Sequence, residues 1–138
     1  MLYKNKHGAT LSEMLVVLLI LAILVALVLP QFNALRERGL AREAKANLKL
    51  ISVAEKIYRM RLGSYYPSSA WTDNNITTIS TFLKLNITQT NWLYSIAGGT
   101  DTFTAYADRN GTGGYLDCIY NVTPSSTNGE PTGSASCP

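Results

Sequence analysis

One carboxylate in this chain stands where a carboxylate is costly. Glu13 directly precedes sixteen consecutive apolar residues, Met14 to Leu29, and follows Gly8 by five positions. A charge in lipid is expensive, and the cost falls when a cation lies close enough to pair with it. Two roles for Glu13 are therefore open. It could reach the headgroups near the end of a membrane helix, or it could form half of an ion pair buried between helices.

Side chains suited to catalysis are scarce. His7 is the only histidine and lies among the first eight residues, so a Ser-His or Cys-His pair has no base. Two cysteines and one histidine do not suffice for a zinc site. The glycine pairs of the C-terminal part follow strand-like runs but open no helix, which argues against a phosphate loop. The sequence predicts a protein that is not an enzyme and needs no cofactor.

Three aspartates are the remaining candidates for a metal site. Asp101, Asp108 and Asp117 lie near predicted turns, where carboxylates can ligate calcium. Aspartates at such positions are more often simply turn residues. They are weak calcium candidates, and no metal is expected.

The two cysteines, Cys118 and Cys137, both fall in the polar C-terminal part. An even count outside the apolar segment indicates one disulfide and an oxidising compartment, and two free thiols are the alternative. In the chain-entropy model such a bridge would stabilise the fold by about 3 kcal/mol.

The apolar segment is the first element that must position these groups. A signal peptide has its small-residue cleavage site after the apolar run, whereas here Gly8 comes before it. Ala9 to Leu29 comprises 21 residues, and a helix that crosses a bilayer needs about 20. Lys4 and Lys6 precede it, which predicts a cytoplasmic leader, residues 1–8, and a C-terminal part on the other side.

The run Gly8-Ala9-Thr10-Leu11-Ser12-Glu13, between a basic leader and a span-length apolar segment, resembles the prepilin cleavage motif. This motif is found in type IV pilins and in the pseudopilins of type II secretion. Pro30 at the end of the apolar run and Tyr66-Pro67 after the next helix are also similar to this family.

The resemblance implies that a prepilin peptidase cuts after Gly8 and that Ala9 becomes the N-methylated first residue. Thr10 and Leu11 would take part in assembly. Glu13 would pair with the Ala9 amine of the neighbouring subunit and so set the register of a helical filament. The implied partners are other copies of the chain, the peptidase, the inner membrane and the pilus or secretion assembly machinery. The precursor would reside in a bacterial inner membrane and the product in a surface pilus or a periplasmic pseudopilus.

Pro30 has two interpretations. A proline inside a helix removes a backbone hydrogen bond and breaks or kinks it, so Pro30 could end the helix at the membrane surface. The resemblance implies instead that the helix continues, bent in the free subunit and locally melted in the filament.

Beyond Pro30 the sequence predicts an α+β head of pilin type. The residues divide into a membrane-spanning or filament-core helix (9–30), an amphipathic half of the same helix (31–62), a connecting region (63–90) and a sheet with a disulfide-closed tail (91–138). The helical face is predicted from apolar spacing and comprises Leu40, Ala44, Leu48, Ile51, Ala54 and Tyr58, widened by Leu50, Val53 and Ile57.

The sheet is predicted to be antiparallel, with three to four strands. Three runs alternate or are rich in aromatic and β-branched residues, with glycine turns between them: 91–96, 102–107 and 115–122. Residues 76–85 predict a short helix or an edge strand. The tail after Val122 is rich in Ser, Thr, Gly and Pro and would be disordered by itself.

Charge is concentrated in residues 36–61, which hold eight bases against three acids. Such a segment can bind nucleic acid, but a solvated helix face, or one that meets the acidic tail region of a neighbour, is the favoured interpretation. A nucleic-acid partner is not expected. Three functions stay open: a pilus subunit, a major pseudopilin of type II secretion, and a monomeric single-pass membrane protein whose Gly8 remains uncut.

Overall fold

The long helix α1 runs from Leu11 to Leu62. It appears in a computed structural model that describes residues 10–110 and 117–138. A small antiparallel sheet covers one face of its C-terminal part, which confirms the predicted α+β class. The chain forms two compact units, one ending at Arg36 and the other beginning at Glu37; the second unit is called the head below.

In the first unit the helix does not stop at Pro30. Helical backbone continues through this residue to Leu62, so the interpretation of Pro30 as a helix boundary is wrong. A proline inside a helix forfeits one backbone hydrogen bond, and the remaining bonds of a long helix can carry the chain past that gap.

The head half of α1 buries one face. The buried apolar residues are Ala41, Ala44, Leu48, Ile51 and Ala54. The prediction that Leu50, Val53 and Ile57 widen this face is wrong, because all three are exposed. Each residue of an α-helix turns the side chain by about 100°, so Leu50 points roughly 200° away from Leu48. These residues form a second apolar stripe on the opposite side.

Among the described residues the sheet has five antiparallel strands in sequence order. The three predicted runs overlap β2, β3 and β4, with β2 and β3 each continuing two residues beyond the predicted end. The two strands of two residues each were not predicted, because they are too short to show alternation. Trp92, Tyr94 and Ile96 alternate inward toward the core. The bounds are β1 Thr72–Asp73, β2 Trp92–Gly98, β3 Phe103–Arg109, β4 Ile119–Val122 and β5 Thr132–Gly133. Residues 111–116, the predicted start of the third run, lie outside the described residues.

The connecting region contains a second helix, α2, from Ile76 to Leu83. The Asn75 side chain accepts hydrogen bonds from the backbone N–H groups of Thr77 and Thr78, as an N-cap residue does. Lys84 ends the helix in a left-handed conformation. Of the two predictions for this segment, the helix is correct.

The tail is ordered by the rest of the head. It forms a 3-10 turn at Thr127–Gly129 and strand β5, and a disulfide joins Cys118 to Cys137. Gly133 is needed for close packing, because a Cβ there would lie 2.6 Å from the Tyr120 ring. A tail that is polar by itself is thus fixed by a covalent bond to Cys118, directly before β4, and by packing against Tyr120 of β4.

Candidate functional site

Glu13 begins α1 as part of a reciprocal cap. The Thr10 N–H donates to Glu13 Oε2 at 2.7 Å, and the Glu13 N–H donates to Thr10 Oγ1 at 3.3 Å. These two bonds form a capping box, which requires a Thr or Ser followed three positions later by a Glu or Gln. The run Thr10-Leu11-Ser12-Glu13 carries this capping signal in the sequence, and the assembly interpretation of the same residues did not include it.

The cap gives Glu13 a role within its own chain. The first turn of a helix has unpaired N–H groups and a partial positive charge, and a carboxylate there is favourable. Glu13 is exposed in the structure, so its carboxylate can still meet a second molecule. Any substitution that tests an intermolecular role must therefore preserve the cap.

The residues behind Glu13 are apolar and exposed. From Met14 to Leu27 every large aliphatic side chain is at least half exposed. In the part of the chain that the structure describes, α1 has the length and composition needed to cross a membrane, and no residue of the apolar window is buried. An exposed apolar surface of this size is typical of a segment that contacts lipid or packs against other apolar helices.

Two of the predicted site residues cannot be placed. Gly8 and Ala9, the predicted cleavage and methylation positions, lie outside the described residues. Thr10 and Leu11 are described and exposed, and Thr10 is the capping partner of Glu13.

A partly buried ion pair holds the start of the head helix against the sheet. Arg109 on β3 donates through Nε and Nη2 to the two carboxylate oxygens of Glu37, at 3.1 and 3.0 Å. Its Nη1 donates to the carbonyl oxygens of Asn91 and Asn110 at 2.8 and 2.7 Å. The nearby Trp92 Nε1 donates to Leu40 O at 2.9 Å. The pairing of Glu37 with Arg109 is not predictable from the sequence, because 72 positions separate the two residues.

A fully buried carboxylate lies farther along the same helix. Glu55 is fully buried, and its Oε2 accepts a hydrogen bond from the Tyr66 N–H at 2.9 Å. Its Oε1 has no partner among the described residues. Burial raises the pKa of Glu55 to about 7, and the Tyr66 hydrogen bond opposes this only in part.

The three calcium candidates are not brought together. Asp101 is exposed and pairs with Arg59 at 3.3 Å, Asp108 lies inside β3 rather than in a turn, and Asp117 is exposed beside the disulfide. Within residues 10–110 and 117–138, no group of three metal-ligating side chains forms. The described residues therefore do not bring the three carboxylates together, as a calcium site built on all three would require.

Part of the basic segment is used inside the head. Lys49 forms an ion pair with Glu130 of the tail, and Lys45 lies 4.8 Å from the centre of the Tyr120 ring. Arg59 reaches Asp101 and stacks on Tyr65. These contacts favour an intramolecular role over nucleic-acid binding.

Comparison with protein families matches the N-terminal segment. The model described as the prokaryotic N-terminal methylation motif matches residues 3–29. This chain carries that motif, the hallmark of type IV pilins and pseudopilins. Comparisons with curated proteins and with solved structures gave no match.

The motif supports a pilin-like or pseudopilin-like precursor. Proteins of this kind are structural subunits rather than enzymes. They are processed by a prepilin peptidase and assembled into filaments, and the precursor is anchored in the membrane by its apolar helix. The match leaves residues 30–138, including the whole head, outside it.

Proposed function

We propose that this pilin-like chain is the structural subunit of a type IV pilus. It is held in the inner membrane as a precursor, cut after Gly8 and polymerised through its apolar helix. The observation that carries the proposal is the match of residues 3–29 to the methylation motif, together with the exposure of every large apolar side chain from Met14 to Leu27 within that segment. Such a helix is stable in lipid before assembly and between other helices afterwards.

Glu13 sets the register of the filament in this proposal. After the cut, the α-amine of Ala9 is a cation at the start of the mature helix. Pairing that amine with Glu13 of a neighbour offsets the cost of a carboxylate among apolar side chains. Apolar packing supplies the attraction but specifies no offset along the rod, whereas one charge pair does.

The other candidate is a major pseudopilin of type II secretion, because the matched motif is shared by both classes. The disulfide that closes the tail favours the pilus. A monomeric single-pass protein with a binding head is the more distant alternative, and it would keep residues 1–8.

Intact-mass spectrometry of filaments sheared from the cell surface tests the proposal. The subunit should lack residues 1–8, carry one methyl group on Ala9 and be the main component. A Gly8→Val precursor should stay uncut and form no filaments. A surface subunit that retains Met1 would overturn the prepilin proposal, and a short periplasmic filament of this chain would replace the pilus by the pseudopilus.

A further inference from the structure

Four aromatic side chains meet in one pocket of the head, between the end of α1, the loop that follows it, and α2. The pocket has a volume of about 280 Å³, and its lining includes Tyr58, Tyr66, Trp71 and Phe82; we call it the aromatic pocket. The Tyr66 ring stacks on Phe82 with 4.9 Å between the ring centres, and it meets Tyr58 edge-on at 5.8 Å. Trp71 and Phe82 are 49% and 51% exposed, so part of their ring surface is open to a ligand.

The rest of the lining is mostly unable to form hydrogen bonds. It consists of Pro67 and the two hydroxyl side chains Ser68 and Thr78. The volume lies just below the range for drug-sized ligands, about 300–1,000 Å³, so the pocket suits a small molecule. A sugar has a hydroxyl on most of its carbons, and each one costs free energy if it leaves water without a hydrogen-bond partner. Two hydroxyl side chains offer few such partners, which disfavours a sugar.

A carboxylate without a counter-ion is bonded to the wall of this pocket. Asp73 is only 4% exposed, and its Oδ2 accepts a hydrogen bond from the Tyr66 hydroxyl at 2.7 Å. Its Oδ1 accepts from the Asn75 N–H at 2.8 Å. Among residues 10–110 and 117–138, Asp73 belongs to none of the ion pairs. The hydrogen bonds stabilise the anion, but its negative charge remains beside the aromatic rings and attracts a cation.

Other aromatic rings of the head already hold cations of the chain itself. The Arg59 guanidinium lies 4.8 Å from the centre of the Tyr65 ring, and the Lys45 ammonium lies 4.8 Å from that of Tyr120. The negative face of an aromatic ring attracts a cation at such distances. In the part of the chain that the structure describes, no contact of this kind involves the rings of the aromatic pocket. Their exposed surface is therefore available to a cation from outside the chain.

We propose that the aromatic pocket binds a small trimethylammonium compound of the choline type. The methyl groups place the positive charge against the ring faces, as in other aromatic sites for quaternary ammonium ligands. A primary ammonium has three N–H donors that this apolar lining would leave unpaired, whereas a trimethylated nitrogen has none. The Ser68 or Thr78 hydroxyl can meet the hydroxyl of choline. The charge of Asp73 favours a cation over a neutral molecule of the same shape.

This site does not use the surface of α1 on which the proposed filament depends. Tyr58 is the only lining residue that belongs to α1, and the exposed stripe of Leu50, Val53 and Ile57 takes no part in the pocket. The site lies within the head, and the inference is therefore the same for a pilus subunit and for a pseudopilin. It adds the binding of a small cation to the role of a structural subunit.

Binding of choline to the full chain in polyoxyethylene detergent micelles tests the proposal, because this detergent carries neither a cation nor a sugar. Isothermal titration calorimetry should detect choline. Its neutral carbon analogue, dimethylbutanol, should bind about tenfold more weakly, since it has the same shape without the charge. Trp71→Leu, which keeps an apolar side chain but removes the ring, should weaken choline binding about fivefold or more. Trp71→Phe, which restores a ring, should retain most of the affinity.

The charge of Asp73 is tested separately. Asp73→Asn should weaken choline binding about fivefold and leave dimethylbutanol binding unchanged. Asp117→Asn, at an exposed position outside the pocket, should change neither. Protease resistance of the head shows whether each variant folds. Because Trp71 is half exposed, its variants still decide the proposal if Asp73→Asn does not fold.

Several outcomes would overturn this ligand site and leave the proposed function intact. Equal affinity for choline and dimethylbutanol would show that apolar contact alone drives binding. A preference for methyl glucoside would make the pocket a sugar site. Binding to phosphatidylcholine vesicles without binding of free choline would assign it to a lipid surface. Absence of binding for every probe would show that the aromatic pocket has no such ligand.

Discussion

Arg109 and Glu37 are 72 positions apart and meet in a two-pronged ion pair that is largely shielded from water, with side chains 9% and 18% exposed. The pair ties the end of β3 to the first residue of the head on α1. The planar guanidinium matches a carboxylate with two parallel hydrogen bonds, and its remaining donors reach backbone carbonyl oxygens. The first turns of the head helix are therefore held to the sheet by directed bonds as well as by apolar packing.

Removing this pair should destabilise the head. Glu37→Ala leaves the Arg109 guanidinium partly buried without its carboxylate, which should cost about 2–4 kcal/mol, near the lower part of the range for broken buried pairs. Urea unfolding of the full chain in detergent micelles, followed by fluorescence of the buried Trp92, measures the change. The matched control is Asp101→Ala, which breaks the exposed pair with Arg59 and should cost about 1 kcal/mol or less. Equal losses from both variants would contradict a special role for the buried pair.

Glu13 combines a cap and a charge, and the two can be separated. Glu13→Gln retains a side chain that can complete a capping box but removes the charge, so it should insert in the membrane, keep a protease-resistant head and yield few filaments. Glu13→Asp should be intermediate, because its charge remains with a shorter reach.

Thr10→Ala provides the control for that experiment. It removes the hydroxyl that accepts from the Glu13 N–H at a cost of about 1 kcal/mol and keeps the carboxylate, so most assembly should survive. Filament yield and membrane content by immunoblot are the measurements. Wild-type filament yield from Glu13→Gln would show that the carboxylate serves only as a cap.

Glu55 should make the stability of the head depend on pH. Burial raises the pKa of Glu55 in the fold to about 7 from its ordinary value of 4.5. The unfolded chain therefore releases this proton at lower pH than the folded chain. The contribution of Glu55 is fully present below about pH 4.5, is lost as pH rises toward 7, and is then constant, for a total of about 3 kcal/mol.

The variant Glu55→Gln cannot release a proton and should remove that loss. The difference in unfolding free energy between Glu55→Gln and wild type should therefore grow in favour of the variant between about pH 4.5 and 7 and stay constant above that. Urea titrations at several pH values measure it, and Glu130→Gln, at an exposed position, serves as the control. A difference that stays constant with pH would show that Glu55 does not titrate in this range.

The disulfide should account for much of the order of the tail. Replacing both Cys118 and Cys137 by alanine removes the bond and should lower stability by about 3 kcal/mol in the chain-entropy model. Proteolysis of this variant should begin in the tail after Val122, while β2 and β3 stay protected. Non-reducing peptide mapping of wild-type filaments should find the cross-link, and two alkylatable thiols there would refute it.

Gly98 should be intolerant of any side chain. A Cβ at this position would lie 2.2 Å from the Pro67 carbonyl oxygen and 2.6 Å from its nitrogen, and backbone atoms cannot yield as a flexible side chain does. Gly98→Ala should cost about 2 kcal/mol or more. The adjacent Gly99→Ala is the control, because its Cβ would lie 3.7 Å from the Thr102 methyl group. Thermal unfolding measures both variants, and Gly98→Ala should melt at a lower temperature than Gly99→Ala. Equal melting temperatures would contradict the steric argument.

Much of the N-terminal half was readable from local sequence. The basic leader, Gly8, Glu13 and the apolar run predicted a membrane helix and a pilin-like precursor, because cleavage motifs and membrane spans are defined by residues close together in the chain. Strands β2 and β3 were also predictable, since inward-facing and outward-facing residue types alternate over about seven positions and this pattern is a strong signal for a strand. The capping box of Thr10 and Glu13 was equally local but was overlooked beside the assembly motif.

Tertiary structure decided what depends on distant residues. Only the packing of α1 on the sheet determined that Leu48 and Ile51 are buried while Leu50 and Val53 face outward. Both pairs are apolar residues spaced three apart, so the spacing alone does not show which pair faces the core. The short strands β1 and β5 exist through pairing with β2 and β4, as two residues have no pattern of their own. The sequence does not distinguish Glu37, Arg109 or Glu55 from other charged residues. They gain their partners, and lose contact with water, only when the chain folds. The burial of a side chain and the identity of its bonding partner depend on two segments that are distant in the sequence, so neither segment alone predicts them.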